Sequence, residues 1–237
     1  MPAVPASQFR HRADVSVYNE SLLFVIASKS LGGRDCAQEP GSDEWTALVR
    51  AGIFLPVMLN GDKGVNVRVI VNDDLTPEEA AEACAHVAGR LRVRDGRLAL
   101  LGGSEYLDGE EADESMEVVK VPKGDYRMDV HACFAGVNGP YLPAFEEHVL
   151  KGPVADWFRR TRPGVDVPRW LADHCGPPAC GAHVDPPEYL DFIVRLTPWD
   201  GPTKVEPPEL DEQGCLVPTP VRPERCPVGI VMRPAAG

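Results

Sequence analysis

The sequence predicts a strand-rich α+β protein. We expect an antiparallel sheet or two-layer sandwich built from hairpins, with one main packed helix over 76–90 and short helices around 141–173. Three observations carry this. Short apolar runs rich in Val, Ile, Leu and Phe recur through the first two thirds of the chain. Turn-forming residues, Asn60-Gly61 and Asp95-Gly96 among them, separate these runs in pairs. Only the segment after Thr76 carries a full helix start signal.

The first run, 14–28, holds Leu22-Leu23-Phe24-Val25-Ile26 and suits a buried strand better than a helix. Residues 30–44 are rich in Gly, Asp and Pro and read as loop, and a short helical turn follows over 44–50. The runs 53–59 and 65–71 flank Asn60-Gly61-Asp62-Lys63-Gly64, which predicts a hairpin. Pro56 has no N–H to give a ladder, so the first arm is expected to be an edge strand or bulged. In the second arm Val65, Val67, Val69 and Val71 share one face.

The main helix is expected over 77–89. Thr76 and Glu79 have the spacing of a capping box, and Pro77 falls at the first helical position, where its missing N–H costs nothing. Ala80, Cys84, Val87 and Leu91 then form a stripe at helical spacing, and Gly89 supplies the stop. A second hairpin follows, 91–94 and 97–100 about Asp95-Gly96. Residues 104–117 are an acidic solvated loop without the ligand spacing of an EF-hand. The third hairpin joins 116–121 to 125–134 through Pro122-Lys123-Gly124. In its second arm Tyr126, Met128, Val130 and Ala132 alternate with Arg127, Asp129, His131 and Cys133.

Beyond Gly139 the pattern changes to short helices at 141–150, 154–160 and 167–173, broken at Gly152-Pro153. Residues 189–196 form the last strong strand. The chain has 24 prolines, about twice ordinary usage, and they crowd its C-terminal part. The segment 198–237 still holds Cys215-Leu216-Val217 and the apolar run 228–232, so it is expected to wrap on the body. We read 1–237 as a single globular domain with a sub-boundary near 138–140. Two stretches, Glu20 onward and Glu188 onward, share E-x-L-x-F, as two buried strands do without common origin.

The net charge of −12 repels a phosphate backbone, and no Lys/Arg cluster offsets it locally, which argues against nucleic acid and anionic membrane surfaces as partners. No apolar run approaches the ~20 residues of a spanning helix, and the N-terminal segment lacks the apolar core of a secretory signal. A cytoplasmic protein is expected, its seven cysteines reduced.

Two clusters offer chemistry. His174, Cys175, Cys180 and His183 lie close together, with Cys215 and Cys226 downstream. Cys175 and Cys180 flank a stiff Gly-Pro-Pro-Ala turn that presents two thiolates to one ion, and Cys215 with Cys226 would complete a tetrahedral zinc site, His183 being an alternative ligand. The spacing is looser than C-x₂-C, and reduced loop thiols explain the same residues. The second cluster is Asp129, His131 and Cys133, which share one strand face and supply the inventory of a cysteine nucleophile with base and orienter. Same-face neighbours on one strand stand ~6.5–7 Å apart, too far for direct bonding, so a half-exposed strand with a buried Cys is the expectation. Phosphate-loop, dinucleotide, nucleophile-elbow and zinc-protease signatures are absent from the sequence. The favoured function is a non-enzymatic binding module for an unknown protein or small molecule, with no cofactor favoured. The alternative is a metal-dependent enzyme or zinc-stabilised domain using the region 175–183.

Overall fold

The segment expected to be one strand over 14–28 is two strands, and they lie in different sheets. The structure, a computed structural model, describes residues 8–19, 22–31, 40–59, 64–102, 116–133, 135, 145–175, 188–199 and 209–232. Its strands are β1 His11–Val17, β2 Leu23–Ser28, β3 Phe54–Met58, β4 Val65–Val71, β5 Ala85–Val93, β6 Arg97–Gly102, β7 Met116–Lys120, β8 Gly124–Ala132, β9 Phe192–Pro198 and β10 Thr219–Pro220. The helices are α1 Asp43–Arg50, α2 Pro77–Glu82, α3 Val154–Thr161 and α4 Arg169–Cys175, with a π-helical turn over Glu146–Leu150. The α+β class stands.

Two sheets stack. The larger runs β1-β4-β9-β8-β5-β10 and the smaller β3-β2-β6-β7, and every strand pair is antiparallel except β4 with β9. The main core lies between them. Phe24 of β2 meets Phe192 of β9 across the gap at 5.1 Å between ring centroids. All six residues of β2 are buried, as its unbroken apolar sequence requires. Gly89 of β5 lies against Leu55 of β3 across the two layers, where a Cβ would come within 3.4 Å of both Leu55 methyls, an ordinary contact.

The three expected hairpins are corrected. β3 and β4 belong to different sheets, as do β5 and β6, and β7 and β8. The connections at 94–96 and 121–123 are arches that carry the chain from one layer to the other, and residues 60–63 lie outside the described residues. Asp95-Gly96 still makes a tight reversal, with Gly96 at φ 82° and its carbonyl accepting from Val121 N at 3.1 Å. The ladders lie between arches instead: β5 pairs β8 along nine residues, and β6 pairs β7.

The helix over 76–90 is also corrected. Its start is as expected: Glu79 N donates to Thr76 Oγ1 at 3.1 Å and Thr76 N to Glu79 Oε2 at 2.8 Å. It ends at Glu82, and residues 85–93 are strand. Val87, Leu91 and Val93 bury at every second position, with Gly89 between them, so alternation and a β8 partner override the helical stripe.

Pro56 lies in β3 at the edge of the smaller sheet, as expected. The C-terminal segment covers that edge: Leu216 N donates to Pro56 O at 2.8 Å and Met58 N to Leu216 O at 3.3 Å. Cys215 and Leu216 enter the main core. Cys226 and Val228 pack with Phe145, Trp157, Phe158 and Leu171 of the short helices in a second apolar cluster. Ile230 and Met232 join Ile70, Cys133, Leu190 and Ile193 in a third, on the outer face of the larger sheet. The helix break falls at Gly152-Pro153, preceded by Lys151 at φ 55°. Residues 141–144 lie outside the described residues.

Candidate functional site

Alternation on three neighbouring strands builds the site. Met128 and Val130 of β8, Val194 and Leu196 of β9, and Val87 and Leu91 of β5 enter the main core, so the residues between them face outward. The register sets His86 opposite His131, and His131 opposite Ile193. One step along, Asp129 lies between Ala88 and Arg195; the next step sets Arg127 between Arg90 and Thr197.

Six of these outward side chains, His86, Arg127, Asp129, His131, Arg195 and Thr197, line an open cleft of about 630 Å³. Leu75, Ala80 and Ala83 come to it from α2 and its approach, and Val221 and Pro223 from the C-terminal segment. Several bonds hold that segment in place. Val221 N donates to Cys84 O at 2.8 Å, and Cys226 N to Thr161 Oγ1 at 3.0 Å. Arg162 Nε donates to Cys226 O at 2.9 Å. The buried Glu82 carboxylate accepts from Val228 N and Gly229 N, each at 2.8 Å. Burial raises the Glu82 carboxyl above its ordinary pKa, and these amide bonds oppose the shift.

Asp129 is the charged centre of the floor. His86 Nε2 lies 3.0 Å from its Oδ1, and Arg127 Nη2 donates to the same oxygen at 3.0 Å. Burial works against the charge, yet the bonds from His86 and Arg127 hold the carboxyl down at about 2. His131 stacks on His86, with ring centroids 4.7 Å apart and 32° between the planes. Burial, and then the neighbouring His86, push the His131 pKa down to about 4. It is therefore a neutral imidazole at pH 7. Arg195 donates from Nε to Asp73 O at 2.9 Å and from Nη2 to the Asp74 carboxylate.

Beside the cleft Glu79 gathers two arginines, Arg12 Nη1 at 2.6 Å and Arg68 Nη1 at 3.1 Å, while Arg68 also pairs with Asp14 at 2.7 Å. Burial disfavours the Glu79 carboxylate, but the Thr76 amide and the two guanidinium groups outweigh it and lower its pKa. That network ties α2 to β1 and β4. It fixes one wall of the cleft.

No protein-family model matches the chain. No curated protein matches it at a significant level. Two solved structures are similar to it. One, titled Crocagin biosynthetic gene J, has 16% identity and a TM-score of 0.47, covering 81% of this chain and 100% of that one. The other is ComJ from Bacillus subtilis, described as an inhibitor of the DNA-degrading activity of NucA, with 9% identity, a TM-score of 0.40, and coverage of 81% and 99%. Scores of this size transfer no residue role.

The sequence pointed to Asp129, His131 and Cys133 as one face, and they do share it. They are not a nucleophilic triad. Asp129 is bonded to His86 and Arg127, and Cys133 is buried in the third apolar cluster, where burial raises its thiol pKa far above the ordinary range. Of the proposed zinc ligands, Cys180 and His183 lie outside the described residues, as do the side chains of His174 and Cys175 at the end of α4. Cys215 and Cys226 are buried in separate apolar clusters, and burial pushes the Cys215 thiol up to about 12. Among the described residues no group of three or more His, Cys, Asp or Glu is placed to hold a metal ion. Among them, too, no helix is long and apolar enough to cross a membrane.

His86, Arg127 and Arg195 were not recognised from sequence. His86 was hidden by the helical reading of 77–89. The strand alternation of 85–93 was the signal that placed it opposite His131.

Proposed function

We propose that this protein is a non-enzymatic binding module whose ligand seats in the outer-face cleft over β5, β8 and β9. The observation that supports this reading is the cleft itself: a polar floor of His86, Arg127, Asp129, His131 and Arg195 beside apolar walls, in a space of about 630 Å³. That volume falls within the range of small-molecule sites, as does the combination of apolar walls with a few convergent polar groups. The same groups are poorly suited to acid–base catalysis at neutral pH. Asp129 is committed to two partners and held at about 2, and His131 at about 4 is too weak a base to abstract protons efficiently.

The test is a chemically mixed fragment library read by ligand-observed NMR on the full chain, in parallel with Ala83→Phe, which fills the cleft. Ala83 is partly exposed with φ −72° and ψ 106°, a conformation that accepts Phe. Hits that bind the parent and vanish with Ala83→Phe support the reading. Hits that persist unchanged in a folded variant place binding elsewhere and overturn it.

A further inference from the structure

The charges around the cleft favour one ligand chemistry over others. Arg127 uses Nε and Nη2 on Asp129, and Arg195 uses Nε and Nη2 on Asp73 O and Asp74. Neither guanidinium has a bond from Nη1 to any protein atom among the described residues, and both line the cleft. In the register, Arg127 faces Thr197 and Asp129 faces Arg195, so the two arginines are diagonal neighbours on one face of the sheet. Diagonal pairs stand roughly 7–8 Å apart, a span that long side chains close around a bound group. The His131 ring lies beside them as a neutral imidazole and can donate one further hydrogen bond. Two guanidinium groups and one carboxylate line the floor, and Asp74, bonded to Arg195, balances the second cation, so what the floor offers an anion is the two unbonded Nη1 groups rather than a net positive charge. With both guanidinium groups already balanced by Asp129 and Asp74, the floor disfavours a multiply charged ligand.

We propose that the cleft binds a small organic monocarboxylate. Its carboxylate lies between Arg127, Arg195 and His131, and its short apolar body rests on Leu75, Ala83, Val221 and Pro223. Arginine suits this role because its planar fork matches a carboxylate and needs no protonation change. The inference rests on the cleft being the binding site.

The experiment uses the full chain with histidine ring carbons labelled, titrated with hexanoate and benzoate, and in parallel with hexanamide and benzamide. A chemically mixed fragment library serves as the control for the cleft itself. Saturable shifts of the His86 and His131 ring signals are expected with the carboxylates, at dissociation constants on the order of millimolar for such unoptimised probes. The amides should leave them in place. Arg127→Gln should weaken carboxylate binding about tenfold or more, the loss of one charge-assisted pair. Ala83→Phe, which leaves every cation in place, should abolish it. Equal response to acids and amides, or shifts only from other fragments, overturns the carboxylate assignment while leaving the cleft reading standing. Silence of both histidines toward every probe overturns both.

Discussion

The rings of His86 and His131 face each other across the β5–β8 ladder and stack at 4.7 Å, with only one of them bonded to Asp129. Two chemically identical side chains thereby occupy different states in one site. His86 is tied to a carboxylate, whereas His131 is buried against His86 and carries no such bond. The asymmetry is one of partners: Asp129 accepts from Arg127 on its own strand and lies 3.0 Å from His86 Nε2 across the ladder, while His131 meets His86 by ring stacking.

His131 makes stability depend on pH in a defined window. Its folded pKa is lowered to about 4 from an unfolded value of 6.5, so between these values the unfolded chain binds the extra proton. Stability is therefore full above about 6.5 and falls as pH drops toward 4, by at most about 1.4 kcal/mol per pH unit. Glu82, with a raised pKa, contributes the opposite slope above its unfolded value, so the decisive quantity is a difference. Urea unfolding of the parent and His131→Gln at pH 7 and pH 5 should show a larger acid loss in the parent. Equal losses would mean that His131 titrates normally.

Asp129 acts in a lower window. Its folded pKa of about 2 lies below the unfolded value, so its stabilisation is present above about pH 4 and disappears as pH falls toward 2. Asp129→Asn should cost about 1–3 kcal/mol at pH 7, because His86 and Arg127 lose a charged acceptor. It should at the same time tighten binding of a carboxylate probe, since the one lining anion is gone. Denaturation midpoints and the histidine titration check the two halves separately.

The capping box is a self-contained test of α2. Thr76→Ala removes the acceptor for Glu79 N and should cost about 1 kcal/mol. Glu79→Ala should cost more. It loses the Thr76 amide bond and leaves Arg12 and the half-buried Arg68 without a shared carboxylate. Two equal effects in urea titrations would show that the ion pairs contribute nothing.

Strand content, the edge position of Pro56, the capping box and the packing of Leu216 were all legible, because each depends on a local signal. Alternation tells which residues share a face. It does not tell which strand lies alongside, so Asp95-Gly96 looked the same as hairpin or arch. The stretch 80–93 carried two periods at once: Ala80, Cys84, Val87 and Leu91 match a helix, while Val87, Gly89, Leu91 and Val93 match a strand. Only the β8 ladder decides between them. The cleft was illegible for the same reason. Its floor comes from β5, β8 and β9 and its walls from α2 and the C-terminal segment, which no local pattern brings together.

Glu82 provides the sharpest test of how the cleft wall is held. Its side chain is 1% exposed, and its two oxygens accept from Val228 N at 2.8 and 3.1 Å and from Gly229 N at 2.8 Å, with Arg162 Nη2 at 4.0 Å. The carboxylate thus fastens the C-terminal segment to the end of α2, a few residues from the point where Val221 and Pro223 enter the cleft. In native-state hydrogen exchange the Val228 and Gly229 amides should be protected as a pair. Glu82→Gln keeps one acceptor oxygen and replaces the other with a donor, so one of the two amides should lose its protection and the other retain much of it. Glu82→Ala removes both acceptors and should expose both amides, destabilise the protein by about 2–4 kcal/mol, and weaken any ligand that rests on Val221. If both amides exchange in the parent as fast as in an unstructured peptide, the Glu82 anchor does not hold the wall.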